Sequence, residues 1–191
     1  MKIRAFIALE LPDAARRVLA NLQSALRPEF SAVRWVGPQG IHLTLKFLGD
    51  IPEAQVAPIG ETLANLTRGC EPLNLIVQGL GVFPGVRKAR VIWAGLGGET
   101  AGLIDLHQKV EAALEAHGFV REQRRFRAHL TLGRFKKVPK PPALVSILER
   151  QSGYAPCEMA LDRLVFYRSE LRPQGARYTS LAQAPLSLTS K

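Results

Sequence analysis

Short segments rich in β-branched and aromatic residues alternate along this chain with longer segments whose apolar residues recur every three or four positions. The first pattern is typical of strands and the second of amphipathic helices. We predict strands over residues 3–11, 41–48, 73–82, 90–96, 126–135, 158–169 and 176–184. We predict helices over residues 13–26, 56–66, 101–116 and 144–150, with a turn at residues 139–142 before the last of them. Pro12 and Asp13 supply start signals for the first helix.

The predicted elements follow almost the same order twice. Strand, helix, strand, helix and a pair of strands are followed by helix, strand, helix and a second pair of strands. This mixture, with helices outside the sheets, is typical of the α+β class. Because no linker rich in glycine or serine separates the halves, we predict a single domain of two lobes over residues 1–191.

The composition is that of a soluble globular protein, with 47% hydrophobic and 22% charged residues. The charge is less ordinary, because 26 Lys and Arg against 16 Asp and Glu give a net charge of +10. An excess of this size favours a polyanionic partner, with nucleic acid ahead of an anionic membrane. Cys70 and Cys157 are far apart in the sequence and indicate neither a disulfide framework nor a zinc site.

The first ten residues superficially resemble a signal peptide, but their apolar run ends after five residues, at Glu10. No segment of the chain has the length and hydrophobicity of a membrane span. We therefore predict a cytoplasmic protein without a membrane partner, and a monomer by default.

A four-residue segment occurs twice in the chain. His42-Leu43-Thr44-Leu45 recurs as His129-Leu130-Thr131-Leu132, and the chain contains only four histidines. Each copy falls on a predicted strand that follows a predicted helix, so both occupy the same place in the repeated order. A single histidine on a strand is usually structural, whereas two copies in matching places indicate a shared chemical task.

Strand geometry explains the spacing within each copy. Side chains alternate between faces, so His42 shares a face with Thr44 and His129 shares one with Thr131, while the leucines point the other way. Near neutral pH one imidazole can accept a proton while the other donates one. Threonine hydroxyls can donate hydrogen bonds to the non-bridging oxygens of a phosphate. This set suits a phosphodiester, and a five-membered cyclic phosphate needs only water, one base and one acid.

These residues resemble the two-histidine phosphoesterase superfamily, and within it the RNA 2′,3′-cyclic phosphodiesterase family, formerly called 2′-5′ RNA ligases. Besides the two motifs, the resemblance rests on residues 4–9, 46–49, 89–93, 133–134 and 167–171, and it spans essentially the whole chain. It implies a bilobal fold whose pseudo-symmetric lobes each have an antiparallel-rich sheet and outer helices, with the active groove between them.

The resemblance also implies a reaction: hydrolysis of RNA 2′,3′-cyclic phosphate ends to 2′-phosphomonoesters, with no cofactor and no metal ion. His42 matches the proton donor of the family and His129 its proton acceptor. The near-symmetric motifs do not by themselves assign these two roles. Thr44 and Thr131 are expected to bind the phosphate, together with Arg134, which occupies a position where the family often has a basic residue.

The positions of three basic residues near the motifs follow from strand parity. Strict alternation places Arg134 on the leucine face, opposite His129, unless a kink at Gly133 rotates it back. The same parity places Lys46 and Arg127 on the histidine faces, where they would meet RNA or solvent.

Further basic residues surround the second motif at positions 121, 124, 125, 136, 137 and 140, and a smaller group occupies positions 87, 88 and 90. Such clusters either follow an RNA backbone or form a solvated face. Phe6, Phe83 and Trp93 are candidates for stacking on a base, although core packing is the more common role of such residues.

Three alternatives remain open from the sequence. A metallohydrolase would need three or four ligands, and no short-spaced carboxylate or cysteine accompanies either histidine. A non-catalytic RNA-binding module would share the basic surface, but it would not require two complete His-x-Thr pairs. The substrate of a phosphodiesterase with these motifs could also be a small cyclic nucleotide or a 2′-5′ linked oligonucleotide.

Overall fold

The computed structural model describes residues 1–137, 140–172 and 175–187, and within them it contains nine strands and four α-helices. The strands are β1 (Lys2–Leu9), β2 (Val33–Trp35), β3 (Leu43–Pro52), β4 (Leu73–Phe83), β5 (Val91–Gly98), β6 (Leu130–Phe135), β7 (Cys157–Leu161), β8 (Arg163–Arg172) and β9 (Gly175–Pro185). The helices are α1 (Asp13–Leu26), α2 (Val56–Thr67), α3 (Thr100–Glu115) and α4 (Pro141–Gln151). Residue 139, where the predicted turn before the fourth helix begins, lies outside the described residues.

The strands form two antiparallel sheets, which confirms the predicted bilobal α+β fold. The first sheet has the order β3-β1-β8-β9, and the second has the order β2-β6-β5-β4-β7. Each sheet therefore combines strands from both halves of the sequence, so the lobes are not the successive halves that the repeated order suggested. One copy of the repeated motif adjoins each sheet, at the start of β3 in the first and of β6 in the second.

The predicted strand over residues 158–169 is two strands that belong to different sheets. Leu161 at the end of β7 pairs with Leu73 in the second sheet, whereas Arg163 at the start of β8 pairs with Pro185 in the first. Between them the Asp162 carbonyl accepts a hydrogen bond of 2.7 Å from the backbone N–H of Leu186. The chain crosses between the sheets at this residue. The crossing depends on pairing with distant strands, which the local hydrophobic pattern does not encode.

The leucines of both motifs belong to the hydrophobic core, as alternation predicted. Leu43, Leu45, Leu130 and Leu132 are all buried. Burying one such side chain contributes about 2 kcal/mol, so the motif strands are held by their leucine faces while their histidine faces remain available. None of the helices in the described part of the chain is long and apolar enough to cross a membrane.

Candidate active site

The two histidines stand in equivalent positions, one residue before β3 and one residue before β6. Nδ1 of His129 donates a hydrogen bond of 2.7 Å to the carbonyl of Arg127, two residues earlier. The ring of His42 likewise makes a hydrogen bond to the backbone of Gly40, two residues earlier. A carbonyl is only an acceptor, so in neutral His129 the proton lies on Nδ1 and Nε2 carries a free lone pair.

The threonines lie two residues further on, at the start of each strand. Thr44 pairs with Ala8 of β1, and Thr131 pairs with Trp93 of β5. Both are half-buried, and neither hydroxyl makes a hydrogen bond to another of the described residues. Each hydroxyl can therefore donate to a bound ligand.

A β-bulge interrupts the first motif strand directly after its threonine. Thr44 pairs with Ala8 and Lys46 pairs with Ile7, so Leu45 is left without a partner in the ladder. An extra residue reverses the alternation of faces beyond it. Lys46 is consequently buried at 7% exposure, and its predicted place on the histidine face is wrong. Phe47, with 67% of its surface exposed, takes that face instead, and its ring lies 5.9 Å from that of Phe6.

The second motif strand has its bulge at the matching residue. Thr131 pairs with Trp93 and Gly133 with Ile92, so Leu132 is left without a partner in the ladder. Beyond the bulge Arg134 is exposed, and its charge contributes to lowering the pKa of His129. Strict alternation was therefore the wrong basis for placing Arg134, and the cause is the bulge at Leu132 rather than a kink at Gly133.

Aromatic rings surround His42. Its ring stacks on that of Phe6 with centroids 4.6 Å apart, and it meets Tyr178 edge-on at 5.0 Å. The ring of Tyr167 lies 5.9 Å away, tilted by 30°. Burial, assisted by the nearby charge of Arg16, lowers the pKa of His42 to about 4. Phe6 itself is buried, so it packs in the core and supports the imidazole.

The surroundings of His129 combine aromatic and basic side chains. The ring of Phe83 meets it edge-on at 4.9 Å, and Trp93 lies 6.5 Å away. The guanidinium of Arg127 lies over the same Phe83 ring, 5.9 Å from its centroid. Burial lowers the pKa of His129, the hydrogen bond to Arg127 opposes this change, and the charge of Arg134 adds to it.

Arg134 is electrostatically coupled to both motifs. Its charge lowers the pKa of His129, and it also opposes the rise that burial causes in the pKa of Tyr178. Tyr178 lies on β9 of the other sheet, against the ring of His42. Tyr178 could not be identified from the sequence, because a lone tyrosine in a predicted strand carries no local signal of its partner 136 positions away.

A buried glutamine ties the second motif strand to the segment that leads into His42. Nε2 of Gln23 on α1 donates to the carbonyls of Leu132 at 2.8 Å and Val36 at 2.7 Å. The backbone N–H of Val36 also donates to the Leu132 carbonyl, at 2.9 Å. Gln23 interrupts the apolar stripe of its helix, and a polar residue in such a stripe is the sequence signal that indicates a buried polar contact.

A buried ion pair links the first motif strand to the segment that leads into His129. Nζ of Lys46, just after the first motif, lies 2.6 Å from Oε2 of Glu111 on α3. The same ammonium donates to the carbonyl of Val120 at 3.0 Å, and Oε2 of Glu111 accepts from the N–H of Glu122 at 3.0 Å. Residues 120 and 122 belong to the segment that leads into His129, so each motif strand helps to hold the loop of the opposite histidine.

The described residues contain no group of three or more His, Cys, Asp or Glu side chains gathered as metal ligands would be. His107 instead stacks on Phe126 with centroids 4.0 Å apart, and Nε2 of His117 lies 2.8 Å from the Thr62 hydroxyl. Both of these histidines have structural partners.

Comparison with known proteins agrees with the geometry. The model of the LigT-like phosphoesterase family matches residues 9–93 and 97–178. A protein of Methanothermobacter thermautotrophicus named RNA 2′,3′-cyclic phosphodiesterase is 32% identical over 95% of this chain and 97% of its own length. An Archaeoglobus fulgidus protein of the same name is 33% identical over 94% of this chain and 98% of its own.

Solved structures give the same result. The crystal structure of TT0787 from Thermus thermophilus superposes with a TM-score of 0.78 at 30% identity, covering 96% of this chain and 98% of the other. E. coli LigT in its apo form, at 23% identity, shares the fold with a TM-score of 0.76 over 99% of each chain. The resemblance that the paired motifs indicated is thereby confirmed, and the chain belongs to the LigT-like phosphoesterase family.

Proposed function

We propose that this phosphoesterase hydrolyses the 2′,3′-cyclic phosphate end of RNA to a 2′-phosphomonoester, by general acid–base catalysis that needs no metal ion. The observation that carries the proposal is the pair of half-buried imidazoles, each oriented by a backbone hydrogen bond two residues earlier and each followed by a free threonine hydroxyl. The names of the two relatives at 32% and 33% identity support the choice of substrate.

His129 is the proposed base. Its Nε2 lone pair takes a proton from water as the water oxygen forms a bond to phosphorus. The P–O3′ bond breaks, and His42 gives a proton to the departing O3′. The products are a 2′-phosphate and a free 3′-hydroxyl, and both rings return to their first state by exchanging protons with solvent. The assignment of donor and acceptor is taken from the family resemblance.

The low pKa of His42 is compatible with the role of an acid only when substrate is bound. With a pKa of about 4, the ring is neutral at pH 7 in the free protein. A phosphate anion 4 Å from the ring favours its protonated form by about 4 kcal/mol at an effective dielectric constant of about 20. That energy corresponds to roughly three pH units. The substrate's own charge therefore raises the pKa of His42 toward neutrality.

Thr44, Thr131 and Arg134 are the proposed phosphate ligands. The two hydroxyls donate to the non-bridging oxygens, and the guanidinium stabilises the charge that builds on them as water adds. Arg134 suits this role because its charge acts on groups in both sheets.

The decisive experiment is incubation with an oligonucleotide that ends in a 2′,3′-cyclic phosphate, in the presence and absence of EDTA. We expect EDTA-resistant turnover to a 2′-phosphate, identified by ³¹P NMR. Loss of activity with EDTA and its recovery with zinc would favour a metallohydrolase. Binding without turnover would favour a non-catalytic RNA-binding module.

A further inference from the structure

We infer that the RNA strand upstream of the cyclic phosphate leaves the site on the His129 side and lies along exposed arginines of residues 116–129, here termed the arginine loop. This inference rests on the proposed function and adds to it the path of the polymer. It is carried by the unequal charge around two motifs that are otherwise built alike.

The charge difference is large when equal windows around the two histidines are compared. Residues 121–140, from eight before His129 to eleven after it, contain eight Lys and Arg and one Glu, a net charge of +7. The matching window around His42, residues 34–53, contains two basic and two acidic residues and has no net charge. Most of the +10 of the whole chain is therefore concentrated beside one histidine.

The arginine loop has no regular secondary structure between α3 and β6, yet it is anchored at several points. Its Val120 carbonyl and Glu122 N–H bind the buried Lys46–Glu111 pair. Its Phe126 stacks on His107 of α3, and its Arg127 carbonyl accepts from His129. Residues between these anchors are presented in a defined place relative to the catalytic ring.

Arg124 and Arg125 project from the loop between two of these anchors. Both are exposed, and neither side chain makes an ion pair or hydrogen bond with another of the described residues. Arg121, by contrast, is paired with Glu115 at 2.7 Å. Arg125 is four residues from His129, so their Cα atoms are at most about 14 Å apart. Two guanidinium groups that have no partner among the described residues and lie this close to His129 can bind the phosphates next upstream of a bound RNA end.

The His42 side presents fewer cations, chiefly the buried Arg16 and the exposed Arg4, whose charge acts on Tyr178. The ring there is enclosed by Phe6, Tyr167 and Tyr178, and the one lysine in its window, Lys46, is buried in an ion pair. A phosphate placed among these rings would lose its hydration, and the guanidinium of Arg16 beside them is already held by Glu10 and the Leu11 carbonyl. The polyanionic strand is therefore better accommodated on the arginine loop.

The test compares two substrates and two double variants of the full chain. The substrates are a 2′,3′-cyclic mononucleotide and a short oligonucleotide with the same cyclic end. Arg124→Gln/Arg125→Gln removes the proposed contacts. Lys2→Gln/Arg68→Gln is the matched control, because it removes the same charge from exposed positions outside the arginine loop. Lys2 pairs with Pro52, at the opposite end of β3 from His42.

We expect the arginine variant to raise KM for the oligonucleotide roughly tenfold or more at 0.1 M salt, and to lower the slope of log affinity against log salt by about 1.4. Its kinetics on the mononucleotide and the kinetics of the control variant should remain those of the parent. Equal effects of the two variants on the oligonucleotide, or no effect of either, would overturn the inference. If the parent chain hydrolyses neither substrate, the proposed function itself fails.

Discussion

The surroundings of His42 and His129 share one framework and differ in what they present to a ligand. In both, the ring is hydrogen-bonded to the backbone two residues earlier, a threonine follows two residues later, and a bulge follows the threonine. In both, a buried polar side chain of a helix links the motif strand to the loop of the other histidine. Around these common parts, three aromatic rings enclose His42, whereas His129 has two aromatic rings together with the basic side chains of Arg127 and Arg134.

The position just beyond each bulge shows where the copies diverge. Phe47 occupies it in the first motif and Arg134 in the second, and both are exposed. The bulge decides which face this residue takes, and the residue type decides what that face offers. Divergence of this kind leaves the backbone framework intact and lets one copy supply apolar surface while the other supplies charge.

The largest expected effect comes from removing either imidazole. His42→Ala and His129→Ala should each lower the turnover rate roughly 10²–10⁴-fold, because each removes one partner of a proton transfer. The double variant should be little worse than either single variant, because the rings act in the same step. Single-turnover kinetics measure this comparison, and oligonucleotide affinity by fluorescence anisotropy should stay nearly unchanged. Additive losses would mean that the two motifs do not act together.

The two buried polar contacts that link the motifs, those of Gln23 and of the Lys46–Glu111 pair, should differ in their contribution to stability. Lys46→Met leaves the buried Glu111 carboxylate unpaired and should lower the free energy of unfolding by about 3–5 kcal/mol. Gln23→Leu should cost about 1–3 kcal/mol, because the Leu132 carbonyl keeps its bond from Val36. Urea unfolding measures both.

The double variant Lys46→Met/Glu111→Leu is the control for the ionic contact. It replaces both charges with apolar groups and should recover most of the lost stability. A double variant as unstable as Lys46→Met would show that the loss comes from packing rather than from an unpaired charge.

The pH dependence should separate free from substrate-bound protein. In the free protein the pKa of His42 is about 4 and that of His129 is lowered from 6.5. As the pH rises, kcat/KM should therefore begin to decline before pH 6.5 is reached. Bound phosphate raises the pKa of His42, so the decline of kcat should begin at higher pH, by up to about three units. The dependence of kcat/KM and of kcat on pH, both measured with a cyclic mononucleotide, gives the two declines. If both parameters declined at the same pH, bound substrate would not be raising the pKa of His42.

The smallest effect on catalysis is expected at Arg134. Arg134→Gln should lower kcat/KM about 10- to 150-fold, which corresponds to the loss of a charged hydrogen bond of about 1.5–3 kcal/mol. The loss should be equal for mononucleotide and oligonucleotide, because the phosphate at the reacting end is common to both. Arg134→Lys is the control, and it should recover part of the loss by restoring the charge without the planar fork. A loss confined to the oligonucleotide would place Arg134 on the RNA path instead.

Much of the framework was predictable because it depends on local periodicity. The four helices and most of the strands lie close to their predicted bounds, but the strand predicted over residues 126–135 begins only at Leu130, and the one predicted over 158–169 is two strands. The motif leucines are buried as alternation requires. The short strand β2 was not predicted, because three residues carry too little pattern. Strict alternation misplaced Lys46 and left the face of Arg134 undecided for one reason: a bulge depends on the pairing of two strands and leaves no mark in either alone.

By itself, the sequence determined the α+β class and the family, and it indicated His42 and His129 as the candidate catalytic residues, because periodicity and a repeated short motif can be recognised without knowing which strands pair. Only the tertiary structure decided which strands share a sheet, which face Lys46 and Arg134 take, and that Tyr178 lies against His42. These outcomes depend on residues far apart in the chain that meet only when the core closes. The mixing of strands from both halves of the sequence in each sheet, and the contacts of Gln23 and Glu111 with the loops of the histidines, likewise depend on residues far apart in the chain.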